Sequence, residues 1–217
     1  MHPSHFTPFE SLAAAIIPHL PQTTDGSHDH DHLLRVWNTV KAIQAQEGGD
    51  LELLAAAVLL HDCVLVPKES PLRSQASELA AKEAAGVLQS QGWSAERTEI
   101  VCDAIRTHGY SAGRTPTSLE GRILQDADRL DAIGYIGIAR CFYTAGRMHS
   151  QLYNPADPTA NARPLNDRHF ALDHFPQKLL KLGANFTTAT GQALAVVRVK
   201  ALANFYEGML AEVTGGA

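Results

Sequence analysis

The 217-residue chain has only three cysteines, Cys63, Cys102 and Cys141, and no CxxC pair among them. A disulfide framework or a thiolate-rich zinc site needs more of them at closer spacing, so these read as reduced thiols of a cytoplasmic protein. No apolar run approaches the ~20 residues that cross a bilayer, so no membrane partner is expected. Met1 to Glu10 lacks a basic segment followed by an apolar one, so no signal peptide is expected either. Basic residues are not in excess. There are 18 Lys and Arg against 23 Asp and Glu, a net charge of −5, which offers no footprint for a nucleic-acid polymer. No stretch alternates apolar and polar residues as a half-buried strand does, and there is no repeat, linker or low-complexity tract. What remains is an all-α protein, expected to form a single domain over residues 1–217.

Histidine, by contrast, is plentiful: eleven residues, a first hint of metal or acid-base chemistry. The helices can be read in order. Phe9 to His19 is a short apolar candidate between prolines. Leu33, Val36, Trp37, Val40 and Ile43 recur at helical spacing until Gly48-Gly49 ends the element. Asp50 can cap a helix that runs to His61. Ser74 to Gln91 and a segment opened by Ser94 and stopped near His108 follow. Thr117-Ser118-Leu119-Glu120 has the pattern of a capping box, and its helix passes Asp131 and continues or restarts to Phe142. Residues 150–166, with three prolines, are a long loop, read as a lid or as a contact in a homodimer. Phe170 to Leu182 and Thr187 to Val213 read as two more helices.

The stretch Val58-Leu59-Leu60-His61-Asp62 stands apart. Burying an imidazole and a carboxylate without partners costs several kcal/mol. His61 lies one turn after Ala57 and Val58 and so points inward with them. His32 and Asp128 also sit near a helix end or on an apolar helix. Taken singly, each has an ordinary explanation as a cap or a solvated side chain. Two imidazoles and two carboxylates together form a mixed donor set. It suits one divalent cation with open positions, Mn²⁺ placed first and Mg²⁺, Fe²⁺, Co²⁺ or Ni²⁺ as alternatives, better than a closed structural zinc site.

The order His…His-Asp…Asp resembles the HD-domain phosphohydrolase superfamily. The likeness extends to His28-Asp29-His30-Asp31-His32-Leu33-Leu34-Arg35-Val36, Leu60-His61-Asp62, Val66-Pro67-Lys68 and Gln125-Asp126-Ala127-Asp128-Arg129-Leu130-Asp131-Ala132. It includes Ile138-Ala139-Arg140 and Asp173-His174-Phe175 as well, and covers roughly residues 25 to 212. One branch of the family contains nucleotide pyrophosphohydrolases. The resemblance implies a helical HD-domain bundle with metal ligands His32, His61, Asp62 and Asp128, and Asp126 as the alternative in the third motif. It departs at His108-Gly109-Tyr110-Ser111, where His-Ser-Phe-Ser is expected.

A cation with open positions can polarise a phosphoryl group and acidify a water, and nearby basic side chains can stabilise the spreading charge. Arg35, Lys68 and Arg129 are the cations nearest the motifs, with Lys68 the first choice for phosphate. His108 reads as a base or phosphate ligand, or equally as a helix C-cap cation. Asp131 reads as orienting a ligand or the water, and His174 enters through its family motif. The expected activity is metal-dependent hydrolysis of a small phosphate ester, a nucleotide, with release of pyrophosphate from a triphosphate. A cyclic-nucleotide or alarmone hydrolase and a nucleotide- or metal-binding signalling module without turnover are the alternatives.

Overall fold

The computed structural model describes residues 1–21, 30–66, 70–109 and 113–216. Among them every regular element is helical, and the β-type contact is an isolated bridge between Gln151 and Phe170. The expected all-α class is the observed one. The chain divides into two compact units, Met1–Asp128 and Arg129–Ala217. No described helix is long and apolar enough to cross a membrane.

In the first unit, α1 (Glu10–Ile16) is followed by α2 (His30–Glu47). Leu33, Val36, Trp37, Val40 and Ile43 are all buried, as their three- and four-residue spacing requires of one helix face. The Trp37 ring stacks on Phe6 with centroids 5.3 Å apart, and its indole N–H donates to the His5 carbonyl. Gly48 and Gly49 take φ of 82° and 94°, a region that side chains resist, and α2 ends there. The Asp50 carboxylate then accepts from the N–H groups of Glu52 and Leu53 and caps α3 (Leu51–Leu60). Leu53 to Leu60 are all buried. A helix apolar on every side must be enclosed, so α3 is the axis of this unit. Each of its fully buried leucines contributes about 1.5–3 kcal/mol.

Against α3 pack α1, α2, α4 (Ala76–Ser90) and α5 (Ala95–His108); α6 (Leu119–Asp131) follows, its last three residues falling in the second unit. Arg97 of α5 reaches Asp50 and Glu52 at 3.3 and 2.7 Å. Glu120 of α6 accepts from the Asp50 N–H at 2.9 Å. That bond changes the cap expected from the sequence. Ser118, not Thr117, caps α6, accepting from the Gly121 N–H, while the Thr117 hydroxyl donates to Asp103. The Glu120 carboxylate is drawn to a different helix, so the reciprocal half of the box is not made.

In the second unit the chain restarts at α7 (Gly134–Arg147), because Gly134 holds φ of 73° and breaks the path from α6. The helix expected over Phe170 to Leu182 is three short pieces: a 3₁₀ turn at Ala171–Asp173, α8 (His174–Gln177) and a 3₁₀ segment at Leu179–Ala184. Pro176 lacks the N–H that a longer helix needs. Asp173, at the first joint, is tied instead to Arg163 in the preceding loop. Thr188 caps the long α9 (Ala189–Val213) by accepting from the Gly191 N–H. Phe205 and Tyr206 of α9 stack on Phe175 at 5.7 and 5.8 Å, and Phe142 of α7 meets Phe205 edge-on.

Candidate metal centre

Four helix ends in the first unit bring polar side chains together. His32 lies in the first turn of α2, His61 and Asp62 follow the last residue of α3, His108 closes α5, and Asp128 stands near the end of α6. His32, His61 and His108 are buried, whereas the Asp62 side chain keeps 43 % of its surface exposed. Helix ends suit this task because side chains there project past the backbone while their helices stay packed.

Two of the imidazoles are oriented by the same local device. His61 Nδ1 lies 2.8 Å from the Val58 carbonyl oxygen, and His108 Nδ1 lies 2.6 Å from that of Ile105. A carbonyl only accepts, so each Nδ1 carries a proton and each ring turns its Nε2 toward the carboxylates. His61 Nε2 is 3.3 Å from His32 Nε2. Asp128 Oδ1 lies 3.4 Å from His32 Nε2 and 4.0 Å from His61 Nε2. Asp62 Oδ2 lies 3.6 Å from His61 Nε2 and 3.9 Å from His32 Nε2, and its Oδ1 faces His108 Nε2 at 3.9 Å. The His61 and His108 rings meet edge-to-face at 5.0 Å.

The electrostatics follow. Burial holds the His61 imidazole below its ordinary value, against the opposing pull of Asp62 and Asp128. The protein packed around Asp62 would raise its carboxyl, but His61, His108 and His32 outweigh that, and the net shift is downward. At Asp128 burial again acts upward and is overcome by the hydrogen bond from His32 and by the electrostatic pull of the surrounding imidazoles. Both carboxylates are thus held ionised beside a histidine held neutral, the protonation states of metal ligands.

The donor set fits a divalent ion. Nitrogen and oxygen donors about 2.0–2.2 Å from one centre lie roughly 3 to 4.3 Å from each other. The distances from the two Nε2 atoms to each other and to the carboxylates run from 3.3 to 4.0 Å. Among the described residues, the clusters able to hold a metal are His32–His61–Asp128 and His61–Asp62–His108. Asp126 is fully buried and lies about 200° around α6 from Asp128, so one helix cannot aim both at a single point.

The remaining candidates have partners of other kinds. Asp131 pairs with Arg140 at 2.9 Å. Arg129 donates to the Asn185 carbonyl at 2.5 Å, and His174 Nδ1 lies 2.8 Å from Asp167. Arg35 is half-buried on α2, and its carbonyl accepts from the Thr39 hydroxyl. Lys68, with His28, Asp29, Tyr110 and Ser111, lies outside the described residues. Gln125 had no expected role. It is buried and donates to the carbonyls of Thr107 and Arg114, fastening α6 to the end of α5 beside His108. An amide immediately before the motif carboxylates was the available signal.

Comparison with known proteins identifies the family. The family described as the HD domain matches residues 30–133. The chain belongs to the HD-domain superfamily. It is 32% identical over 198 residues to the uncharacterized protein YpgQ of Bacillus subtilis, covering 88% of each chain. The crystal structure of an HD-superfamily hydrolase from Bacillus thuringiensis superposes with a TM-score of 0.71 at 30% identity, over 94% of this chain and 96% of that one. Bacillus subtilis YpgQ in complex with ADP gives 0.70 at 28% identity, over 93% and 97%. This HD-domain chain thus shares its fold with proteins described as hydrolases over nearly its whole length.

Proposed function

We propose that this HD-domain protein is a metal-dependent phosphohydrolase acting on nucleotides, with release of pyrophosphate from a nucleoside triphosphate. The observation that carries the reading is the convergence of the His32 and His61 Nε2 atoms with the Asp62 and Asp128 carboxylates, all within 4.0 Å of both nitrogens. The ADP complex of YpgQ supports the nucleotide as substrate class. His32, His61, Asp62 and Asp128 would hold one divalent cation, Mn²⁺ in the first instance. When bound it would supply Lewis acidity toward a phosphoryl oxygen and a more acidic water.

The rest of the chemistry falls to the chain. The buried His32 and His61 close the inner side of the site to solvent, and the half-exposed Asp62 marks its open side. His108 holds its Nδ1 proton on Ile105 and presents Nε2 toward Asp62, where it can accept a proton from an attacking water. Lys68 and Arg35 are proposed to hold phosphate oxygens, whereas Arg129, His174 and Asp131 belong to the second unit and keep the partners described above.

The test is hydrolysis of a nucleotide panel with Mn²⁺, with products separated as orthophosphate, pyrophosphate or monophosphate. Turnover should vanish in His61→Ala and Asp62→Ala and persist with a raised KM in Lys68→Ala. Equal turnover in wild type and both site variants removes the proposal. Anomalous scattering at the metal edge identifies the ion and its ligands in one measurement.

A further inference from the structure

We infer that the outward face of α9 is a self-association surface, on which α9 of a second copy of this chain packs antiparallel. The inward face of α9 is accounted for: Gly191, Ala195 and Leu202 are buried, and Phe205 and Tyr206 join the aromatic cluster. Half a turn away the helix carries Val196 and Val197, 71 % and 69 % exposed. Scattered exposed apolar residues are ordinary. Two adjacent valines in mid-helix are less so, since each lowers helix propensity and neither hides its methyl groups.

The charges on the same face select the occupant. Lys200 and Glu207 follow the valines along it and are seven residues apart, about 10.5 Å, too far to pair within one helix. A two-fold axis crossing α9 between Ala203 and Asn204 sets Lys200 of each copy against Glu207 of the other. The same operation sets Val196 and Val197 against Ala211 and Leu210 of the second copy, both of which keep accessible surface. One register therefore satisfies charge and apolar surface together, as a contact between identical patches must. A parallel pairing would place Lys200 on Lys200 and Glu207 on Glu207, and a shift by one turn would strand both charges. A partner of unrelated sequence has no reason to match this spacing, whereas a second copy carries it.

Analytical ultracentrifugation of the full-length chain at micromolar concentration tests the inference. The wild type is expected to be a dimer, and Val196→Glu with Val197→Glu is expected to be a monomer with an unchanged circular dichroism spectrum. Lys200→Glu alone and Glu207→Lys alone each face like charges across the axis and are expected to weaken the dimer by roughly tenfold or more. Combining the two reversals should restore it. A monomeric wild type, a dimer indifferent to the valine changes, or a double reversal as weak as the single ones would each overturn the assignment.

Discussion

His61 Nδ1 sits 2.8 Å from a carbonyl of its own helix, and this fixes what Nε2 can do. With the ring proton committed to Val58, the inner nitrogen of the neutral ring is an acceptor aimed at two carboxylates, which are acceptors as well. Only a cation or a proton satisfies such a set. The folded protein should therefore gain stability from Mn²⁺ in proportion to occupancy. At a hundred times the dissociation constant the gain is about 2.7 kcal/mol. Urea unfolding with and without Mn²⁺ should show that gain in wild type and little of it in Asp128→Ala at the same concentration; equal gains would exclude Asp128 as a ligand. A second residue-scale prediction concerns Asp173, which is buried and accepts from both ends of the Arg163 guanidinium and from the Asn166 N–H at 2.5–2.8 Å. Burial acts upward on this carboxyl, but Arg163 and the Asn166 N–H carry it below its ordinary 3.8. A carboxyl lowered on folding contributes stability at pH values above its unfolded value, and that contribution fades as pH falls through the folded value. Asp173→Asn is expected to cost about 3 kcal/mol at neutral pH, because it leaves Arg163 without its counter-charge. It should also flatten the loss of stability below about pH 4. Urea midpoints across pH decide this: coincident curves for the two proteins would mean that the pair contributes nothing.

Local signals and long-range contacts divide the helices into those legible from sequence and those that were not. The α2 stripe, the glycines after it and the Asp50 cap are read within a few residues of the chain, and each is where it was expected. The Ser118 cap and the broken segment after Phe170 depend on Asp50, Asp103 and Arg163, residues distant in sequence, so no window around them shows the outcome. The grouping of His32, His61, Asp62 and Asp128 was legible as a candidate because their order resembles a family pattern. The role of Gln125 was not, because it acts on carbonyls of another segment. Glycines make the same point quantitatively. At Gly137 in α7 an added Cβ would lie 2.3 Å from the Ala132 carbonyl oxygen, a backbone atom that cannot yield cheaply. Gly137→Ala should cost about 2 kcal/mol or more. At Gly86 in α4 nothing lies within 4 Å of the added Cβ. Gly86→Ala should therefore stabilise by roughly 0.5–1 kcal/mol through helix propensity alone. Thermal or urea unfolding of the two variants checks both signs, and a neutral Gly137→Ala would show that α7 can move away from Ala132.

Across the whole chain, the residues assigned to the ion all belong to the first unit, although they come from three separate stretches of sequence. Drawing His32, the His61–Asp62 pair and Asp128 onto one cation removes freedom from long intervening segments, so binding energy is delivered to every helix that supplies a donor. The second unit has its own ties: the Arg163–Asp173 pair, Arg198 donating to the Leu130 carbonyl at 2.6 Å, and the aromatic cluster on α9. Hydrogen exchange should read the two apart, since amides exchange through the openings of their own cooperative unit. Added Mn²⁺ is expected to slow exchange in α2, α3 and the first two turns of α6, and to leave the middle of α9 at its original rate. His61→Ala, which removes the donor nitrogen shared by both clusters, should abolish that slowing without altering α9. If α9 slows as much as α3, the ion's energy is not confined to the helices that bind it, and the two units open as one.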